Sequence, residues 1–251
     1  MGRRRQNLHR GSGAQWQIAY AKALGVSAQG AVNYVGERQE YHFPSSERRL
    51  MTKFNFVENT FMVSYTKEVA DYCAPFSCGD DDLDEFFNND VFLYEEELLG
   101  KTYCWISKDN QHEIMAIATL SYDGIKTYTL DNSSRNSLQR KIPQQKRHRS
   151  YPAVLIGRLG VNKSFQGHGL NIGSQLMNAL KYWFIDENNK AACRYMLVDA
   201  YNTDSIIHYY IKNGFKPLYK TEQSEKEAFG IPEDVALKSR VMFFDLKMIT
   251  A

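Results

Sequence analysis

The chain has 251 residues, of which 43% are hydrophobic and 24% are charged, and its formal net charge is +2. This composition is typical of one large globular domain, and it excludes a wholly disordered, collagen-like or coiled-coil chain. The sequence has no run of about 18 apolar residues and no signal-peptide core, so we expect a cytoplasmic protein that does not enter the membrane.

Four cysteines are scattered along the chain, at Cys73, Cys78, Cys104 and Cys193, without a Cys-x-x-Cys pair. Histidines do not accompany them at the spacing of a zinc site. We therefore expect reduced thiols, with neither a disulfide framework nor a metal.

Charge is distributed unevenly along the sequence. Residues 1–50 carry a net charge of +5, whereas residues 51–251 carry −3. Between 132 and 185 there are nine lysines and arginines and no acidic residue. Such a stretch favours a polyanion, and a solvated basic surface is the alternative. Because 1–50 is also rich in Gly, Ala, Ser and Gln, we expect a basic extension there, outside a folded domain at 51–251.

Before residue 162, the pattern of apolar residues predicts mostly strands. The predicted elements are a strand at 61–66, helices at 68–71 and 82–88, a hairpin of strands at 102–107 and 113–122, a polar link at 123–150, and a buried strand at 153–161. The three acids Asp80, Asp81 and Asp82 supply the N-cap and the first turn of the second helix.

After residue 162, helices and strands alternate. Ile172, Leu176, Leu180 and Phe184 recur at spacings of four and form one apolar face of a helix that ends at 188–189. The remaining elements are a strand at 195–200, a helix at 204–212 closed by Gly214, a strand at 215–219, a charged loop and a last strand at 241–247. This order predicts a mixed α/β layered fold, with its chemistry at a strand-to-helix junction.

That junction is a glycine-rich turn between the strand at 153–161 and the helix that begins near 172. Gly167, Gly169 and Gly173 allow a tight turn and bring backbone N–H groups close to a ligand. The start of the helix adds free donors and a partial positive charge, which suits a phosphate. The turn is neither a Walker loop nor a Gly-x-Gly-x-x-Gly fingerprint. A plain strand-to-helix connection is the alternative to an anion site.

Two segments of the sequence resemble the GNAT superfamily of N-acetyltransferases. Its acetyl-CoA motif is Arg/Gln-x-x-Gly-x-Gly/Ala after an apolar strand. Gln166 and Gly169 fill the first two fixed positions, and Asn171 stands where Gly or Ala is usual. The second signature, Tyr-x-x-x-Gly-Phe, is matched by the segment that runs from Tyr210 to Phe215. The resemblance covers roughly residues 54–248 and implies a GNAT-like α/β fold, a mixed, mostly antiparallel central sheet flanked by helices.

Further marks are similar to the toxin-type GNAT enzymes of toxin–antitoxin pairs. These marks are Cys78-Gly79, Leu83-Asp84, Phe86-Phe87, Lys101-Thr102-Tyr103 and Gly157-Arg158-Leu159. Members of that branch acetylate the amino group of aminoacyl-tRNA and so block translation. The resemblance implies aminoacyl-tRNA as one candidate acceptor, an antitoxin partner and a homodimer. A small amine or a protein amine is the other candidate acceptor.

The superfamily resemblance implies direct transfer of acetyl from acetyl-CoA, as co-substrate, to a primary amine. Tyr210 is expected to protonate the leaving thiolate, since the four-residue spacing to Gly214 selects it over Tyr209. Arg158 is a candidate for substrate binding, and His208 is a general-base candidate by residue type alone. The residues implied to bind acetyl-CoA are Leu159, Gly160, Val161, Gln166, Gly167, His168, Gly169, Leu170, Asn171, Ile172, Gly173 and Asn202.

Two further hypotheses belong to other functional classes. A catalytically silent GNAT fold could bind CoA or serve as an interaction module, and Asn171 is the feature that suggests it. A nucleic-acid-binding protein could use the basic segment at 1–50, and in that case deleting the segment would lower RNA affinity.

Overall fold

A computed structural model of the chain describes residues 54–140, 142, 150–187, 189 and 191–249. The extension expected at 1–50, and with it the proposed domain boundary, lies outside the described residues. So do residues 141 and 143–149 of the polar link.

The described residues form a seven-stranded sheet with strand order β1-β2-β3-β4-β5-β7-β6. The strands are β1 (Thr60–Ser64), β2 (Lys101–Ser107), β3 (Ile114–Lys126), β4 (Ser150–Val161), β5 (Tyr195–Tyr201), β6 (Lys216–Pro217) and β7 (Ser239–Asp245). Every neighbouring pair is antiparallel except β4 and β5, which are parallel. The expected fold, a mixed and mostly antiparallel sheet flanked by helices, is confirmed.

Helices cover both faces of this sheet. They are α1 (Phe56–Asn59), α2 (Lys67–Tyr72), α3 (Asp81–Glu85), α4 (Val91–Glu96), α5 (Asn132–Gln139), α6 (Ile172–Ile185), α7 (Asp204–Lys212) and α8 (Glu222–Phe229). A π-helical segment, Phe86–Asp90, joins α3 to α4. None of the helices in the described part of the chain is both long and apolar enough to cross a membrane.

The two faces of the sheet have separate apolar cores. On one face, Val198 and Ala200 of β5 pack with Leu176 and Leu180 of α6 and with Tyr210 of α7. On the other face, one cluster joins β1–β3 to α4 and the π-helical segment, and a second joins β4 and β5 to α5. Because successive strand residues point to opposite faces, the side chains of β5 alternate between these cores.

Most predicted elements are confirmed within a few residues. The helix at 204–212 has the predicted bounds, and Asp80 caps α3 by accepting from the N–H of Leu83. Two predicted loops contain helices, α5 in the polar link and α8 in the charged loop. The predicted strand at 215–219 was too long, since only Lys216–Pro217 pairs with β7.

All four cysteines are free thiols, and Cys73 and Cys104 are buried. Burial raises the pKa of the Cys73 thiol to about 11, so this thiol stays protonated near neutral pH. Within the described ranges, no three His, Cys, Asp or Glu side chains are grouped to hold a metal ion.

Candidate active site

The central feature of the candidate site is a gap between the two parallel strands. β4 pairs with β5 only from Ala153 to Ile156, so the edge of β4 beyond that point faces no strand among the described residues. A β-bulge at Gly157 changes the register of β4 against β3 where the gap opens. The free edge carries unpaired backbone N–H and C=O groups, and such an edge can bind an extended ligand as an added strand.

This gap opens into a cleft of about 1020 Å³ that runs from α3 on one side of the sheet to α6 and α7 on the other. Gly160 lines the cleft, and the Phe76 ring packs directly against its backbone. A Cβ atom at residue 160 would come within 3.0 Å of two atoms of that ring. The glycine therefore keeps this part of the strand edge close to the N-terminal elements.

The glycine-rich turn forms one end of the cleft. Gly167 and Gly169 have φ angles of 76° and 72°, and no atom lies within 4 Å of a Cβ built on either. No described residue accepts a hydrogen bond from the N–H groups of Gly167, Gly169 or Ile172. Open space, free donors and the N-terminus of α6 together fit a phosphate group.

Asn171, the departure from the family motif, has a conformational explanation. Its backbone is left-handed, with φ 51° and ψ 36°, at the N-cap of α6. Glycine adopts that conformation freely, and Asn adopts it more readily than most other residues do. Asn171 therefore fits the left-handed backbone that this chain has at the N-cap of α6.

The side chain of Gln166 fastens the turn to the rest of the site. Its Nε2 donates to the carbonyl of Val161 over 2.7 Å and to the carbonyl of Cys78 over 2.8 Å. Asp84 fixes the segment that contains Cys78, since its carboxylate accepts from the Cys78 N–H at 2.6 Å and the Ser77 hydroxyl at 2.7 Å. The turn is therefore held from both sides.

Tyr210 lines the cleft from α7, with only 9% of its surface exposed. Its ring packs edge-on against Tyr209 and Phe215. Burial, and after it the negative charge of Asp199, raises the pKa of Tyr210 from 10 to about 12. The phenol therefore stays protonated at neutral pH and can act as a proton donor.

The neighbouring Tyr209 has a different environment. Its hydroxyl donates to the carbonyl of Gly173 over 2.8 Å, which joins α7 to the first turn of α6. A hydroxyl that already donates to a backbone carbonyl is fixed in a structural contact. Tyr209 is therefore engaged in the packing of two helices, and the proton-donor role of Tyr210 stays a prediction.

The face of the sheet opposite α7 carries a second group of polar side chains around the same cleft. Arg158 of β4 lies over the Phe86 ring, 5.0 Å from its centroid, and donates to the carbonyl of Gly157. On β5, Asp199 lines the cleft beside Tyr201, whose hydroxyl donates to Asp82 over 3.1 Å. Asp199 is not among the residues predicted from the sequence, and it is an exposed position between the buried residues Val198 and Ala200 of β5.

The cleft brings together most of the residues predicted from the sequence. Among the predicted binding residues it is lined by Arg158, Leu159, Gly160, Val161, Gln166, Gly167, Gly169, Asn171, Ile172 and Gly173. His168, Leu170 and Asn202 are not among the lining residues. The Asn202 amide instead donates to Glu222 and to the carbonyl of Leu237. His208 lines the cleft from an exposed position on α7.

The fold is shared with solved structures of bacterial toxins, whereas no family model matches the chain. AtaT complexed with acetyl-methionyl-tRNAfMet is 19% identical with a TM-score of 0.53, and the match covers 76% of this chain and 98% of that one. A tyrosine-to-phenylalanine mutant of KacT is 19% identical with a TM-score of 0.52, and the match covers 76% of this chain and 98% of that one. AtaTR bound with AcCoA is 19% identical with a TM-score of 0.51, and the match covers 77% of this chain and 97% of that one. At this identity the likeness shows the fold alone, and the expected mixed α/β architecture is confirmed.

Proposed function

We propose that this protein is an acetyl-CoA-dependent N-acetyltransferase that acts on a primary amine. The observation that supports it most is the single cleft that contains the free edge of β4, the glycine-rich turn and the Tyr210 phenol. The first fits an extended amide-containing chain, the second fits phosphates, and the third is a buried proton donor. Acetyl-CoA has a matching feature for each, since pantetheine contains amides and the reaction leaves a thiolate.

In this proposal the chain's own groups divide the work along the cleft. The backbone of Leu159, Gly160 and Val161 holds the pantetheine arm, and one N–H polarises the thioester carbonyl, an effect worth about 3 kcal/mol per donor in other enzymes. The N–H groups from Gly167 to Gly173 hold the pyrophosphate. Tyr210 gives its proton to the departing sulfur, and its raised pKa keeps the proton in place until negative charge develops there.

The acceptor is the second part of the proposal. AtaT, which shares the fold, was solved with acetyl-methionyl-tRNAfMet, and we propose the amino group of aminoacyl-tRNA as the acceptor here. The acid-free stretch from 132 to 185 supplies positive charge for an RNA backbone, and Arg140 is exposed at its start. An antitoxin and a homodimer, which the sequence resemblance implies, stay predictions.

Cell-free translation with purified protein tests this function. The protein is added with and without acetyl-CoA, and Tyr210→Phe is the control that keeps the ring. We expect arrest that needs both acetyl-CoA and the Tyr210 hydroxyl. If the protein binds acetyl-CoA and translation continues, the acceptor is a small amine or a protein amine. If it binds acetyl-CoA and transfers acetyl to no amine, the chain is a catalytically silent CoA-binding module.

A further inference from the structure

The gap between β4 and β5 connects the two faces of the sheet at the place where the reaction would occur. Tyr210 packs with Val198 and Ala200 on the α7 face. Asp199 lies between those two residues in β5, so its side chain belongs to the opposite face. Since Asp199 and Tyr210 line the same cleft, a thioester held in the gap would have a proton donor on one face and a carboxylate on the other.

The Asp199 carboxylate has no partner in the described part of the chain. No hydrogen bond or ion pair to it occurs there, although it forms part of the cleft wall. Other acids in the protein are engaged: Asp84 with Ser77, Asp245 with Arg194, and Glu225 with Arg240. A carboxylate that lines a cleft without such a partner is available to a ligand.

The groups around Asp199 come from five elements, β3, β4, β5, α3 and α7. Arg158 on β4 provides positive charge, and Asp123 on β3 adds a second negative charge. On its own strand Tyr201 is bound to Asp82 of α3, and Tyr210 approaches from α7. Partial loss of solvation, then the charge of Asp123, raises the pKa of Asp199 above its usual value, while Arg158 opposes that rise.

The balance of charge on this side of the cleft favours a cation. Asp80, Asp82 and Asp199 line it, together with the single guanidinium of Arg158. That guanidinium lies over the Phe86 ring and donates to a backbone carbonyl, and no ion pair with Asp199 forms. A protonated amine is the group that would complete this arrangement, because it is both a cation and a hydrogen-bond donor.

We propose that Asp199 binds the ammonium group of the acceptor and removes its proton, and so acts as the general base in place of His208. This inference rests on the proposed acetyltransferase activity. One N–H proton of the ammonium passes to the Asp199 carboxylate, and the freed lone pair attacks the thioester carbon. The C–N bond forms as the C–S bond breaks, and Tyr210 gives its proton to the sulfur. The attacking nitrogen then loses a second proton. Of this proton and the one on Asp199, one restores the Tyr210 phenol and the other goes to solvent. The products are one amide, one thiol and one released proton.

The experiment compares wild type with Asp199→Asn at pH 6 and pH 8. The acceptors are total aminoacyl-tRNA and, in parallel, spermidine, and acetyl-CoA affinity is measured separately by calorimetry. We expect acetyl-CoA affinity to stay within about twofold, because Asp199 lies on the face away from the glycine-rich turn. The loss in kcat/KM should be about 100-fold at pH 6 and about tenfold at pH 8, where more of the amine is already neutral. Asp199→Glu retains a carboxylate and should keep the wild-type pH profile.

The matched control is Asp123→Asn, which removes the neighbouring acid outside the cleft wall and should keep kcat/KM within about threefold at both pH values. Equal kcat/KM for wild type and Asp199→Asn would overturn the proposal. So would an equal loss at both pH values, which would assign the side chain a packing role, or the same pH-dependent loss in Asp123→Asn. A wild-type chain that binds acetyl-CoA but acetylates neither acceptor would overturn the proposed function itself, and this inference with it.

Discussion

The Tyr209 hydroxyl donates to the carbonyl of Gly173 over 2.8 Å, and this bond joins α7 to the first turn of α6. Gly173 leaves room for it, since a Cβ atom there would lie 3.2 Å from the Tyr209 ring. The proton donor proposed for catalysis, Tyr210, follows directly in the chain. One tyrosine thus positions the helix that carries the other.

Removing the hydroxyl of Tyr210 is expected to lower kcat, whereas removing that of Tyr209 is expected to lower stability. Tyr210→Phe keeps the packing against Phe215 but loses the proton donor, so kcat should fall by about 100-fold with acetyl-CoA affinity unchanged. Tyr209→Phe loses a partly buried hydrogen bond, so the free energy of unfolding should fall by about 1 kcal/mol while kcat stays within about threefold. Steady-state kinetics and urea unfolding of both variants measure this. Equal losses of kcat in the two variants would show that the roles are not divided in this way.

Two substitutions of Asn171 separate the effect of its backbone conformation from the effect of its side chain. Asn171→Gly should keep acetyl-CoA affinity within about twofold and stability within about 1 kcal/mol, because glycine adopts φ 51° without strain but has a more flexible unfolded state. Asn171→Val forces a β-branched residue into the left-handed region and should cost about 1–2 kcal/mol. Thermal unfolding and calorimetric titration with acetyl-CoA measure both variants. An Asn171→Gly variant that no longer binds acetyl-CoA would show that the amide itself contacts the ligand.

The strands of the sheet and the helices α6 and α7 beside the cleft could be predicted from the periodicity of apolar residues and the positions of glycines. Strands such as 153–161 are near-continuous apolar runs, and α6 has its apolar residues at spacings of four. The helix α5 was missed because Asn132–Gln139 is rich in Ser and Asn, which have low helix propensity. Its stability comes from the Asp131 cap and from packing of Leu138, which local sequence does not reveal.

The candidate site was predictable where it depends on local backbone and not where it depends on topology. The turn from Gln166 to Gly173 and the Tyr210 helix are continuous segments, so a sequence resemblance can point to them. Asp199 becomes visible only once β4 and β5 diverge, because its neighbours come from β3, β4 and α7. Asn202 shows the reverse case, where nearness to Tyr210 in sequence did not bring the side chain into the cleft.

Among the substitutions outside the cleft, that of Glu225 is expected to cause the largest loss of stability. Its carboxylate is 1% exposed and accepts from Arg240 Nε and from the N–H of Val241, each at 2.6 Å. Glu225→Ala leaves the buried guanidinium without its main partner and should lower the free energy of unfolding by about 3–5 kcal/mol. Glu222→Ala is the matched control, because its contact with Arg240 is 3.7 Å long and half-exposed, and it should cost under about 1 kcal/mol. Urea unfolding at pH 7 compares them, and similar losses would mean that burial does not set the value of these contacts.

Lys181 predicts a pH dependence of stability with a defined sign. Its Nζ donates to the Asn213 carbonyl at the end of α7 and lies 4.1 Å from the centre of the Phe244 ring. Burial lowers the pKa of Lys181 from 10.5 to about 8. Between those values the unfolded chain binds more protons than the folded one, so this residue makes the free energy of unfolding rise with pH.

Lys181→Met should abolish that rise. The difference in unfolding free energy between wild type and this variant should grow by about 3 kcal/mol from pH 7.5 to pH 10.5, since the pKa of Lys181 is about 8 in the folded chain and 10.5 in the unfolded one. The ionisation of tyrosines and cysteines affects both proteins and cancels in the difference. Lys216→Met, at an exposed position on β6, is the control and should give a constant difference. Parallel curves for wild type and Lys181→Met would show that the buried amine keeps an ordinary pKa, because the carbonyl at the end of α7 would then compensate fully for its lost solvation.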